Sequence, residues 1–156
     1  MIQNRAMFYF LRDIDMDRII PSSGHPITRH QNETGEPLWI VSNASFSLNR
    51  CKPFTGKDLT ELEWDENEVT IDGSDNVEDL LKETLGILKQ WKHQMETDFP
   101  LDKFDIILSI DYGDEDVEPS ATIRFYAIRD HYRIVEINQM NLENFVQPIL
   151  VECVGC

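Results

Sequence analysis

Residues 76–97 set the frame for the rest of this chain. Val77, Leu81, Thr84, Leu88, Trp91 and Met95 recur at spacings of four and three, and Leu80 and Ile87 widen the stripe. That spacing puts one apolar face on a helix, which must be buried against a neighbouring element. Asp75 with Glu78 three residues on predicts a capping box at its start, and Phe99-Pro100 marks its end. Directly afterwards, "FDIILSIDY" places Phe104, Ile106, Leu108, Ile110 and Tyr112 on one side of a strand and Asp105, Ser109 and Asp111 on the other. "ATIRFYAI" repeats the alternation through Ala121, Ile123, Phe125 and Ala127. A turn at 129–131 then leads into "YRIVEI", so 104–137 reads as a three-stranded antiparallel meander on which the helix lies.

Upstream, "AMFYFL" suits a buried strand, and "PLWIVSNASFSL" alternates through Leu38, Ile40, Ala44, Phe46 and Leu48. Between them "PSSGHPITRHQNETGEP" reads as one long Pro/Gly/Asn loop. "NEVTIDG" predicts a further short strand, and "NLENFVQPILVECVGC" a helical turn followed by an edge strand. The expected fold is α+β: a mostly antiparallel sheet, made of a three-stranded C-terminal meander plus N-terminal strands, covered by one long helix. At 156 residues and 41% hydrophobic, residues 1–156 are expected to form a single globular domain.

Charge narrows the function classes. The net charge is −15, with sequence pI near 4.5, and phosphate or anionic-lipid binding needs clustered Lys and Arg. Nucleic acid and membrane surfaces are therefore not expected partners; a charge-driven partner would be basic. The opening "MIQNRAMFYFLRDID" has an apolar run too short for a signal core or a membrane span, so a cytoplasmic location is expected. The Asn32 and Asn43 glycosylation patterns are then coincidental, and three cysteines do not make a secreted disulfide framework.

The excess charge is concentrated. Residues 58–81 hold ten carboxylates and no Lys, Arg or His, whereas residues 1–57 are net +2. With no basic residue inside the segment, the sequence predicts no internal ion pairs there. Trp64 sits among Asp58, Glu61, Glu63, Asp65, Glu66, Glu68 and Asp72, and "LEWDENEV" around it suggests a strand or turn. An aromatic anchor ringed by carboxylates has the composition of a protein interface, although Leu62, Trp64 and Val69 could equally point inward. A second cluster, "DYGDEDVEP", adds Asp114, Glu115 and Asp116 at what reads as a hairpin tip. Its spacing does not fit a calcium loop, because the central Gly and terminal Glu are out of place.

Cys153 and Cys156 have the two-residue gap of a metal knuckle or dithiol, and His25 and His30 the four-residue gap of some zinc sites. Together they could make a Cys2His2 set, but Cys156 stands where fraying is the default, and redox dithiols favour a helix start. Ser22, Ser23, His25, His30 and Asp13 carry no hydrolase pattern; no nucleophile elbow, phosphate loop or zinc-protease helix occurs, and neither a cofactor nor a bound metal is expected. The expected function is an acidic protein-binding inhibitor, of the immunity-protein or antitoxin kind, occluding a basic partner such as a nuclease toxin. The alternatives are a small metal-binding protein or enzyme using the histidine loop and the cysteines, or a structural homodimer pairing through an edge strand.

Overall fold

The structure is a computed structural model that describes residues 1–42, 54–74, 76–135 and 139–156. It is α+β, as the sequence predicts. In chain order the elements are β1 (Ile2–Gln3), α1 (Arg5–Leu11), β2 (Ile27–Gln31), β3 (Pro37–Val41), α2 (Lys57–Glu66), β4 (Glu68–Ile71), α3 (Val77–Asp98), β5 (Phe104–Asp111), β6 (Ser120–Ala127), α4 (Gln139–Leu142) and β7 (Ile149–Val154). The main sheet runs β1-β7-β5-β6-β4 with antiparallel neighbours throughout, and β2 and β3 form a separate hairpin.

α3 is the long helix, and its apolar stripe is the buried one: Leu80, Leu81, Leu85, Leu88, Trp91 and Met95 pack on Ile106, Leu108, Ile110, Ile123 and Phe125 of the sheet. Trp91 meets Phe125 edge to face with centroids 4.9 Å apart. Each such side chain, fully buried, contributes about 1.5–3 kcal/mol. The cap is Asn76, whose side chain accepts from the Glu78 amide; Asp75, expected in that role, lies outside the described residues. Gly86, inside α3, lets the helix press on the chain at Ile20, where a Cβ would stand 2.8 Å from the carbonyl oxygen.

Several upstream expectations are corrected. "AMFYFL" is helix α1, capped by the buried Asn4, whose Oδ1 accepts from Met7 N and Ile149 N. The expected long loop contains β2, with only Ile27 buried on it. The meander has two strands, β5 and β6; Tyr132 forms only an isolated bridge with Arg129, and β4 and β7 flank the pair instead. β7 is not an open edge, because β1 pairs with it at Leu150 and Val151. Asn43, Ala44, Phe46 and Leu48, and the end of the expected third strand at 136–137, lie outside the described residues.

Strand alternation gives the sheet a second face, turned away from α3. Ile107, Tyr126, Ile149 and Val151 gather there with Leu142 from α4 and Trp64 from α2. Register places Cys153, Asp105 and Tyr126 side by side in one row across β7, β5 and β6 on that face.

Candidate functional site

Of "LEWDENEV", expected as a strand or turn, residues 62–66 belong to helix α2 and 68–69 to strand β4. Leu59, Glu63 and the C-cap Asn67, spaced four apart, are buried, and Asp58 in the first turn suits the positive end of the helix dipole. Glu63 is fully buried. Its Oε1 accepts from Trp39 N at 3.0 Å and Arg129 Nη2 at 2.6 Å, and its Oε2 from Ala127 N at 2.8 Å and Arg129 Nη1 at 2.9 Å. Asn67 completes the same seam, accepting from Val41 N and donating to Trp39 O. These two side chains take the backbone groups that β3 and β6 would otherwise leave unpaired, joining the hairpin to the main sheet. Glu63 is thus a structural group, shut away from any partner surface.

The segment holds no cation of its own, so none of its ion pairs is internal, but part of its charge is cancelled by cations that arrive from elsewhere in the chain. Glu61 pairs with Lys57 at 3.4 Å and accepts from the Tyr132 hydroxyl at 2.9 Å, which holds its carboxyl below its ordinary value. Glu68, on edge strand β4, pairs with Arg124 across the ladder. Asp58 and Asp65 are exposed on α2, and Glu66 is half-buried.

Trp64 is half-buried. Its ring stands edge-on to Tyr126 with centroids 5.9 Å apart, and the Arg124 guanidinium lies 4.9 Å from its centre. It forms one wall of a pocket of about 320 Å³ on the second sheet face, with Ile107, Val135, Phe145 and Ile149.

Uncompensated charge is found at the end of the sheet instead. β4 and β6 pair as far as Ile71 and Ala121, so Asp72 leaves β4 beside the hairpin that joins β5 to β6. Asp72, Asp116 and Glu118 line one groove with Thr70 and Ser120. The two acidic clusters therefore meet. Asp72, Asp111, Asp114, Glu115, Asp116 and Glu118 are all exposed, and none forms an ion pair with a described residue. The tip is shaped by its own carboxylates: Asp111 accepts from Gly113 N, and Asp114 from Asp116 N and Val117 N. Gly113 takes φ 67°, where a Cβ would collide with Val117 O.

The cysteine row is the second candidate. Cys153 and Cys156 are joined as a disulfide. Asp105, in the neighbouring strand and fully buried, accepts from Tyr126 Oη at 2.9 Å and from Arg133 Nη1 at 2.8 and 3.0 Å. Burial raises the Asp105 carboxyl to about 6 against the pull of Arg133, and burial beside Asp105 pushes the Tyr126 hydroxyl up too. Among the described residues, the only set of three metal-ligand types within reach of one another is Asp105, Cys153 and Cys156; His25 and His30 do not join the cysteines. Sequence reading missed Asp105, Tyr126 and Arg133. Asp105 falls on the polar side of a strand pattern, and only the fold brings the other two to it.

Among the described residues, no helix is long and apolar enough to cross a membrane. Compared with protein-family models, curated proteins and solved structures, the chain matches none.

Proposed function

We propose that this chain is a protein-binding inhibitor of the immunity-protein or antitoxin kind, which occludes a basic partner such as a nuclease toxin. The observation that carries the reading is the groove where Asp72 from one acidic segment meets Asp116 and Glu118 from the other, with no described cation against them. A nuclease must present a cationic cleft to phosphates, and an acidic face can enter that cleft in their place. Uncancelled charge also steers the encounter, raising association rates by about 10 to 1,000-fold at low salt. Asp114 and Glu115 extend the face, while Glu61, Glu63 and Glu68 are engaged within the fold. Asp58 and Asp65 on α2 remain open to a partner.

The test is capture from the protein's own cells at low salt with stepwise elution to about 0.5 M, where screening releases charge-held partners. The wild-type chain is compared with an Asp72→Lys/Asp116→Lys variant. A basic protein retained by the wild type, released in the salt steps and lost in the variant supports the reading. Equal retention by both proteins removes it.

A further inference from the structure

The disulfide between Cys153 and Cys156 closes a loop with a sequence separation of only 3. Such a short loop removes less entropy from the unfolded chain than any longer one, so the bridge is a weak staple. Its surroundings point to chemistry instead. Cys156 is exposed, Cys153 half-buried and Asp105 buried, with a carboxylate oxygen and both sulfurs all within 4.8 Å of one another. Arg133 Nη2 lies 3.3 Å from each sulfur, while its Nη1 holds Asp105. Gly155, at φ 75°, makes the tight return between the cysteines, where a Cβ would meet Asp102 O at 2.5 Å.

A bound metal is the obvious alternative, but the position facing both sulfurs and the carboxylate is taken by a guanidinium. A fixed cation repels a second one. It stabilises a thiolate, as a helix N-terminus does for other dithiols. The groups facing the pair are Asp105 from β5 and Arg133 from the segment after β6, with Tyr126 of β6 behind Asp105, donating to its carboxylate, and the backbone of Asp102 and Lys103 packed under Gly155.

We propose that Cys153 and Cys156 are a reversible thiol–disulfide exchange centre, in which Arg133 holds the thiolate charge and Asp105 carries the proton of Cys153. Its substrates are thiols and disulfides, small or on another protein. An incoming thiolate attacks the exposed Cys156 sulfur; the new S–S bond forms as the Cys153–Cys156 bond breaks, and the electron pair stays on Cys153. That thiolate is held by Arg133 and takes a proton from Asp105, which regains one from solution. A second thiolate attacks the substrate sulfur of the mixed disulfide, releasing oxidised substrate and leaving Cys156, which is protonated by water. Two electrons and two protons pass from two thiols to the protein, and the reverse sequence oxidises a dithiol. This inference is independent of the acidic groove.

The test uses the full chain with Cys51→Ser, so that only this pair reports. The pair is equilibrated in mixtures of reduced and oxidised glutathione and scored by mass after alkylation. The reduced form is then alkylated with iodoacetamide from pH 5 to 9. The reactive midpoint is expected at least one pH unit below the ordinary cysteine value of about 8.5. Arg133→Gln is expected to raise that midpoint and lower the dithiol-to-disulfide ratio about tenfold, equivalent to about 30 mV. Arg133→Lys, which keeps the charge, is expected to restore most of both, and Asp105→Asn to slow ring closure and flatten its pH profile. Three results would overturn the proposal: a wild-type midpoint at the free-cysteine value, a pair that stays oxidised at every glutathione ratio, or stoichiometric zinc uptake by the reduced protein.

Discussion

Glu63 and Arg129 meet as a two-point ion pair across 66 positions of sequence, with Glu63 fully buried and Arg129 nearly so. Each oxygen of Glu63 also accepts a backbone amide, one from β3 and one from the end of β6, while Arg129 Nη2 donates to Pro37 O. One carboxylate thus ties the hairpin, α2 and the main sheet together. Burial pushes the Glu63 carboxyl up, and Arg129 is the chief opposing pull. Arg129 and Arg133 flank one tight turn, in which Asp130 and His131 both have positive φ, and each arginine answers one buried carboxylate.

Removing one partner of a buried pair strands the other, at a cost of about 3–5 kcal/mol. Glu63→Gln is therefore expected to lower the unfolding free energy by about 3 kcal/mol or more. Asp65→Asn, on the exposed side of the same helix, should stay within about 0.5 kcal/mol. Urea denaturation of both variants checks this. Equally small effects would mean that the pair does not hold the two sheets together.

Local pattern carried the centre of the fold. The spacing in α3 and the alternation in β5 and β6 describe burial that depends on adjacent residues, and all three elements form where the sequence predicts them. The errors occur where a distant partner decides. A short apolar run such as "AMFYFL" suits strand or helix, and Asn4, bonded to Gln147 O and Ile149 N near the far end of the chain, makes it a helix. Glu63 reads as one more surface acid until Arg129 is brought to it from 66 residues away. The cysteine spacing was visible, but the buried carboxylate and the arginine beside it were not, because the first arrives through strand register and the second from the segment after β6.

Asp105 gives stability a definite pH dependence. Its carboxyl is raised from an ordinary 3.8 to about 6 in the folded protein, so the folded state holds the proton more tightly. Its contribution is fully present below pH 3.8 and is lost as pH rises through about 6. By linkage that amounts to on the order of 3 kcal/mol. The wild-type stability minus that of Asp105→Asn is expected to fall by roughly this much between pH 4 and pH 7. A difference that stays flat across that range would show that burial does not raise the carboxyl.

Gly86 offers a test in which helix propensity and packing oppose each other. Alanine inside a helix is favoured over glycine by about 0.8–1 kcal/mol. Here the added Cβ would stand 2.8 Å from Ile20 O, backbone that is tied to the helix because Ser22 N donates to Gly86 O at 2.9 Å. Gly86→Ala is expected to be destabilising, with the overpacking term of about 1–3 kcal/mol outweighing the propensity gain. A rise in melting temperature would mean that the segment at Ile20 and Ser22 yields easily.

The acidic groove makes a prediction that needs no partner in hand. Asp72, Asp111, Asp114, Glu115, Asp116 and Glu118 cluster at one end of the sheet without a described counter-charge, so they repel one another in the folded state. In the unfolded chain Asp72 separates from the hairpin, and part of that repulsion is relieved. Simple salt screens the folded cluster, since the Debye length shrinks from about 30 Å at 0.01 M to about 3 Å at 1 M. The melting temperature of the wild type is therefore expected to rise with added sodium chloride. Asp72→Lys/Asp116→Lys, which puts two cations into the cluster, should start higher at low salt and gain less. If both proteins respond equally to salt, the repulsion is spread over the whole net charge of −15 rather than focused in the groove, and the groove loses its claim to be the steering surface.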